Sequence, residues 1–228
     1  GTNYLIIGPD LMDLISYSNQ RAIAINPATV DHKSLTVHVF DNSTVQMLSN
    51  EIMHLGVPDE ILPAVGNRSI LVLRVSFLDS EPTYSSKEMS TLIFGQDSGT
   101  NITMRSQFDA CSFGKLQMNP ANGENVINGV GELLVSTNVS GLSSRWYAEQ
   151  LTRQAATMAY GDLDRFSHVM ACMPPGIPYD QNRQTWFASA YLRSYLSFYN
   201  DETCIFVSVQ LHEIGHNFGL GHSNGFGK

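Results

Sequence analysis

Apolar and polar positions follow two different rhythms along this chain. Up to residue 65 short apolar runs alternate with turn signals: Tyr4-Leu5-Ile6-Ile7 precedes Gly8-Pro9, Ala22–Ile25 precedes Asn26-Pro27, and Leu35–Phe40 precedes Asp41-Asn42-Ser43. This pattern predicts a small β-rich element, followed by a short helix near Val45–Leu55. Gly66-Asn67 marks a boundary. Beyond it, Ser69–Leu78 is a nearly unbroken apolar run of the kind found in a sheet interior, and Gly131–Thr137 and Ser167–Cys172 repeat it, the last stopped by Pro174-Pro175. Thr103–Ala110 suits a short helix. Tyr147, Leu151, Ala155 and Met158 recur at helical spacing between Ser143-Ser144 and Gly161, predicting an amphipathic helix. Trp186–Tyr199 is aromatic and roughly alternating, as in a strand near a sheet edge. Near the end, Val207, Leu211, Ile214 and Phe218 form one apolar stripe, and Ile205 and Val209 lie on a second face, so the pattern predicts a helix buried on both sides. Strands interleaved with helices in this order predict an α/β or α+β sandwich: a twisted, mostly parallel sheet with a central helix, preceded by the β-rich segment.

Composition narrows the classes of function. The chain has 228 residues, 43% of them hydrophobic, enough to bury a core as one large or one-and-a-half domains. Its formal charge is 13 − 21 = −8 with no cluster of Lys and Arg, which argues against nucleic acid as a partner. Residues 1–65 carry 2 − 7 = −5 of that charge. No apolar run reaches the length of a membrane span. Sequons at Asn42, Asn67, Asn101 and Asn138 make these candidate N-glycosylation sites and tilt the expectation towards secretion. Cys111, Cys172 and Cys204 allow one disulfide with one thiol left over, and the spacing does not say which two pair.

The chemistry is concentrated in His212-Glu213-Ile214-Gly215-His216-Asn217-Phe218-Gly219-Leu220-Gly221-His222, of the form H-E-x-x-H-x-x-G-x-x-H. Four residues apart on a helix, His212 and His216 share a face and can reach one ion. Glu213 sits about 100° round the helix, beside that ion rather than on it. Gly219 can adopt a left-handed backbone, end the helix and turn the chain so that His222 joins the pair. Three neutral nitrogen ligands suit Zn2+ with one position left for water, and Glu213 is placed to act as general base.

This motif resembles that of the metzincin zinc peptidases. Further segments narrow the resemblance: Arg74-Val75-Ser76-Phe77, Ser106-Gln107-Phe108, Cys111-Ser112-Phe113-Gly114-Lys115-Leu116, Met170-Ala171-Cys172-Met173-Pro174-Pro175-Gly176 and Tyr199-Asn200-Asp201 are similar to the gametolysin family, peptidase family M11. That resemblance implies the fold of a metzincin N-terminal subdomain and a secreted zinc endopeptidase made as a precursor. Residues 1–65 would then be the C-terminal part of a propeptide and residues 66–228 the catalytic domain. Known algal members digest cell-wall or extracellular-matrix glycoproteins, so the implied partner is a protein or peptide substrate. Metzincins also carry a methionine-containing turn after the third histidine, and none of the nine methionines follows His222. The expectation is therefore a catalytic domain truncated before that turn, with a catalytically inert homologue that binds matrix or a partner as the alternative. Cys111 has two readings: a thiol that occupies the fourth zinc position in a latent precursor, or half of a structural disulfide. The second is the simpler expectation in a secreted domain.

Overall fold

The computed structural model describes residues 5–7, 23–31, 36–47, 64–95, 102–180 and 182–222. The chain divides into two compact units, Gly1–Glu60 and Ile61–Lys228. The first contains strands β1 (Leu5–Ile7), β2 (Ile23–Asp31) and β3 (Thr36–Met47) in the order β1-β3-β2, with β1 parallel and β2 antiparallel to β3. The register of β2 shifts between Asn26 and Ala28. Pro27 lies at that shift, where a residue without an N–H leaves the ladder. The helix expected from Val45 does not begin there: Val45, Gln46 and Met47 pair with Ile25, Ala24 and Ile23. Partners on β2 override the weak helical pattern, and the rest of that segment lies outside the described residues.

The second unit is built on a mixed seven-stranded sheet. Its strands are β4 (Gly66–Phe77), β5 (Leu116–Pro120), β6 (Val126–Ile127), β7 (Val130–Val135), β8 (His168–Met173), β9 (Ala188–Ala190) and β10 (Leu196–Asn200). The order is β6-β7-β4-β8-β10-β9, with β5 also pairing with β4. Every pairing among β4, β5, β7, β8 and β10 is parallel, and only the outer strands β6 and β9 run against their neighbours. The mostly parallel sheet expected from the apolar runs is therefore present.

Parallel strands buried on both faces need cover on both, and four helices supply it. They are α1 (Ser86–Phe94), α2 (Met104–Cys111), α3 (Arg145–Tyr160) and α4 (Val207–Asn217). Strand β4 shows how the faces divide. Leu71, Leu73, Val75 and Phe77 pack in one core with Ala148, Ala156 and Tyr160 of α3. Ile70 and Val72 pack in the other with Met89 and Ile93 of α1, Met104 of α2 and Ile214 of α4. Alternation along one strand thus sends α3 to one side and the remaining helices to the other.

Helix limits follow capping chemistry. Ser144 accepts from the Tyr147 N–H at the start of α3, and Gly161, with φ 74°, ends it. Ser85 and Glu88 form a capping box at the start of α1, a helix the apolar pattern does not announce. The inward face of α3 differs from the expected one. Tyr147 and Met158 are exposed, whereas Ala148, Glu149, Thr152, Ala156 and Tyr160 are buried. Small residues let the helix approach the sheet closely, so the stripe with the largest apolar side chains is not the buried one.

The segment Trp186–Tyr199 is a hairpin rather than one strand. It breaks between β9 and β10, where Arg193 takes φ 54° and its N–H donates to the His216 carbonyl at 3.0 Å. Cys172 of β8 is joined to Cys204, in the 3-10 turn Asp201–Ile205 that precedes α4. Cys111 is free and exposed at the end of α2, so the expected disulfide at that residue is corrected.

Candidate metal centre

Helix α4 lies on the sheet by the face that carries Gln210, Glu213, Ile214 and Asn217. It is not buried all round as the two apolar stripes imply: Val207, Leu211 and Phe218 are half-buried and His212 is exposed. The helix ends in a Schellman motif. Gly219 adopts φ 91°, its N–H donates to the His216 carbonyl at 2.8 Å, and the Leu220 N–H donates to the Gly215 carbonyl at 2.9 Å. A side chain at Gly219 would meet both an unfavourable backbone and the Arg193 side chain at 3.1 Å. This reversal brings His222 back over the helix.

The three histidines meet at their Nε2 atoms. Each of the three separations, His212 to His216, His212 to His222 and His216 to His222, is 3.1 Å. The Nδ1–H of His216 donates to the Leu220 carbonyl at 2.7 Å, which leaves its Nε2 as a bare lone pair. With that tautomer set, no placement of protons on two further neutral rings satisfies all three contacts. A cation shared by three lone pairs does. Nitrogens at about 2.0–2.1 Å on a tetrahedral zinc lie about 3.3 Å apart, close to the observed triangle. Among the described residues, this is the group of His, Cys, Asp and Glu side chains that could hold a metal ion, and Cys111 is not part of it.

Glu213 is buried beside the triangle. Burial pushes its carboxyl above the ordinary range, against the opposing pull of His216, Arg145 and His222. Beneath the helix, Asn217 donates from Nδ2 to the carbonyls of Tyr191 and Leu196 at 3.0 and 3.1 Å, and its Oδ1 lies 3.4 Å from Nδ1 of His168. Burial lowers His168 to about 4, so its ring is neutral at ordinary pH. The residue after His216 therefore ties the ligand helix to the β9–β10 hairpin. Asn217 was not anticipated, although a polar residue three places after Ile214 on a buried helix face is a signal of such a tie.

Residues 69–227 match the family model of the gametolysin peptidases, M11. The chain belongs to the gametolysin peptidase family. It is accordingly a metallopeptidase whose substrates are proteins. Neither a curated protein nor a solved structure matches the chain. Two of the segments that carry the family resemblance anchor the loop at residues 82–84. Arg74 donates to the carbonyls of Tyr84 and Pro82 at 2.8 and 3.0 Å, and Asp201 accepts from both the N–H and the hydroxyl of Thr83 at 2.8 Å. Of the sequons, Asn67 and Asn138 are exposed, Asn42 falls in β3 and Asn101 lies outside the described residues. No helix among the described residues is long and apolar enough to cross a membrane.

Proposed function

We propose that this gametolysin-family peptidase is a secreted zinc endopeptidase of the metzincin type that cleaves matrix or cell-wall proteins, with His212, His216 and His222 as ligands and Glu213 as general base. The observation that carries the reading is the equilateral Nε2 triangle, closed around the bare lone pair of His216. His212, His216 and His222 would hold the ion, and zinc there would supply Lewis acidity towards water and a peptide carbonyl. Glu213 takes a proton from the attacking water at a carboxylate oxygen and passes it to the leaving amine nitrogen.

Substrate binds in this reading along β9. The Tyr191 N–H donates to the Leu196 carbonyl and the Asn200 N–H donates to the Phe187 carbonyl, at 3.4 and 2.8 Å. Phe187, Ser189 and Tyr191 therefore turn their main chain towards β10, and Ala188 and Ala190 turn theirs to the opposite edge. An extended peptide adds there as a further strand. The disulfide and the exposed sequons at Asn67 and Asn138 support an oxidising, extracellular setting. Separate compactness of Gly1–Glu60 supports residues 1–65 as the end of a propeptide.

Digestion of a denatured protein with and without a zinc chelator tests the assignment. Cleavage that stops with chelator and returns with zinc is expected, and Glu213→Ala is expected to keep the metal while losing turnover. A metal-loaded protein that cleaves nothing would favour the inert matrix-binding alternative. Full activity in Glu213→Ala would remove that residue from its role.

A further inference from the structure

Three turns of α3 grip the segment that leads into the substrate strand. Arg145, Glu149 and Arg153 stand four residues apart on one stripe of the helix, an arrangement usually left to solvent. Here Glu149 is 3% exposed. Its Oε1 accepts from the Ser189 hydroxyl at 3.0 Å and pairs with Nε of Arg145 at 3.1 Å, and its Oε2 accepts from the Tyr191 hydroxyl at 3.2 Å. The Arg145 guanidinium lies over the rings of Tyr179 and Trp186 at 5.2 and 5.4 Å, and that of Arg153 lies over Tyr191 at 5.5 Å. Tyr191 is consequently held at both ends, its phenol by α3 and its carbonyl by Asn217 of the ligand helix.

A three-residue edge strand has little rigidity of its own. A buried carboxylate is also a poor way to gain stability, because its desolvation offsets much of what its partners return. Burial does push the Glu149 carboxyl upwards, against Arg145, Ser189 and Tyr191. The acid is better explained by where its two hydroxyl partners sit: Ser189 lies on β9 and Tyr191 directly follows it, so the two flank Ala190. We propose that Glu149 is a positioning residue for peptide binding, which sets the distance between the free edge of β9 and the histidine triangle through Ser189, Tyr191 and Asn217. The assignment rests on the peptidase reading and on β9 as the strand that receives the peptide.

The test uses the metal-loaded full chain with Glu149→Gln, and Tyr191→Phe as a second variant that removes only the phenol bond. On a peptide long enough to pair with β9, KM is expected to rise about tenfold in Glu149→Gln while kcat changes by less than about threefold. Tyr191→Phe should move KM in the same direction by less, with metal content unchanged in both. Amide exchange at Ser189 and Tyr191, whose N–H groups face β10, should quicken while α4 stays protected. Unchanged KM together with unchanged exchange at those two amides overturns the proposal. So does a parallel fall of kcat, metal content and melting temperature, which marks a purely structural role. If the unmodified protein cleaves no peptide, the peptidase reading fails by itself, and the exchange measurement still decides whether Glu149 positions β9.

Discussion

Helices α3 and α4 both place polar side chains four residues apart on one face, and the two stripes behave in opposite ways. On α3 the charged groups Arg145, Glu149 and Arg153 are met by hydroxyls, aromatic faces and each other. On α4 the Nε2 atoms of His212 and His216 are met by each other and by the same nitrogen of His222. A stripe with complementary partners is an internal fastening. A stripe whose like groups converge without a complement is a ligand set awaiting a cation. Spacing alone does not separate the two cases; the chemistry of the nearest neighbours does.

The largest test of that contrast removes one corner of the triangle. His222→Ala is expected to lose metal on dialysis and to bring peptidase activity to background, as read by metal analysis beside a protein digest. Retention of one equivalent of zinc would break the comparison, since two histidines four apart would then suffice. Metal removal from the unmodified protein comes next. At a free zinc concentration about a thousand times Kd, the bound ion adds roughly 4 kcal/mol of stability. Chelation should therefore lower the melting temperature, with hydrogen exchange rising at 216–222 and changing little in α3.

A fourth histidine sharpens the contrast from the other side. His168 is buried, packs edge-on against the Phe218 ring at 4.8 Å and meets Asn217, so it resembles the fastenings rather than the ligands. Its ring stays neutral in the folded chain down to about 4, against 6.5 when unfolded. Between those values the unfolded chain binds the extra proton, so stability is full above 6.5 and declines as pH falls towards 4. Urea unfolding of the metal-free protein should show about 2 kcal/mol less stability at pH 5 than at pH 7, a loss absent in His168→Gln. Equal losses in both proteins would mean the histidine is not held neutral. The smallest effects concern two glycines. Gly219→Ala should cost about 1–2 kcal/mol because of its φ and Arg193, whereas Gly221→Ala, where the added carbon meets no atom of the described residues, should stay within about 0.5 kcal/mol.

Legibility in the sequence tracks how local each feature is. The triangle and its base lie within eleven residues, His212 to His222, and a helix followed by one left-handed glycine is enough to bring them together. Strand β4 and the ends of α3 were equally readable, from an apolar run and from Ser144 and Gly161. What escaped was decided by distant partners. Val45 became strand because Ile25 lies opposite it. The buried face of α3 is chosen by the sheet and the hairpin rather than by the largest side chains. Cys172 and Cys204 come together only once β8 and the turn before α4 are in place, which leaves Cys111 unpaired. The fastening of Glu149 to Tyr191 spans 42 residues, and no local pattern announces it.

The bond between Cys172 and Cys204 closes a covalent ring around β9 and β10. Within it, residues 182–185 form an exposed stretch beside a turn in which the Arg183 N–H donates to Asp180 at 2.9 Å. A protease, including another copy of this one, that cut there would release nothing. The severed ends would stay tethered through the sulfur bridge, migrate as a single species without reductant and separate into two once thiol was added. Self-digestion at this loop would thus escape any assay that monitors size alone under oxidising conditions.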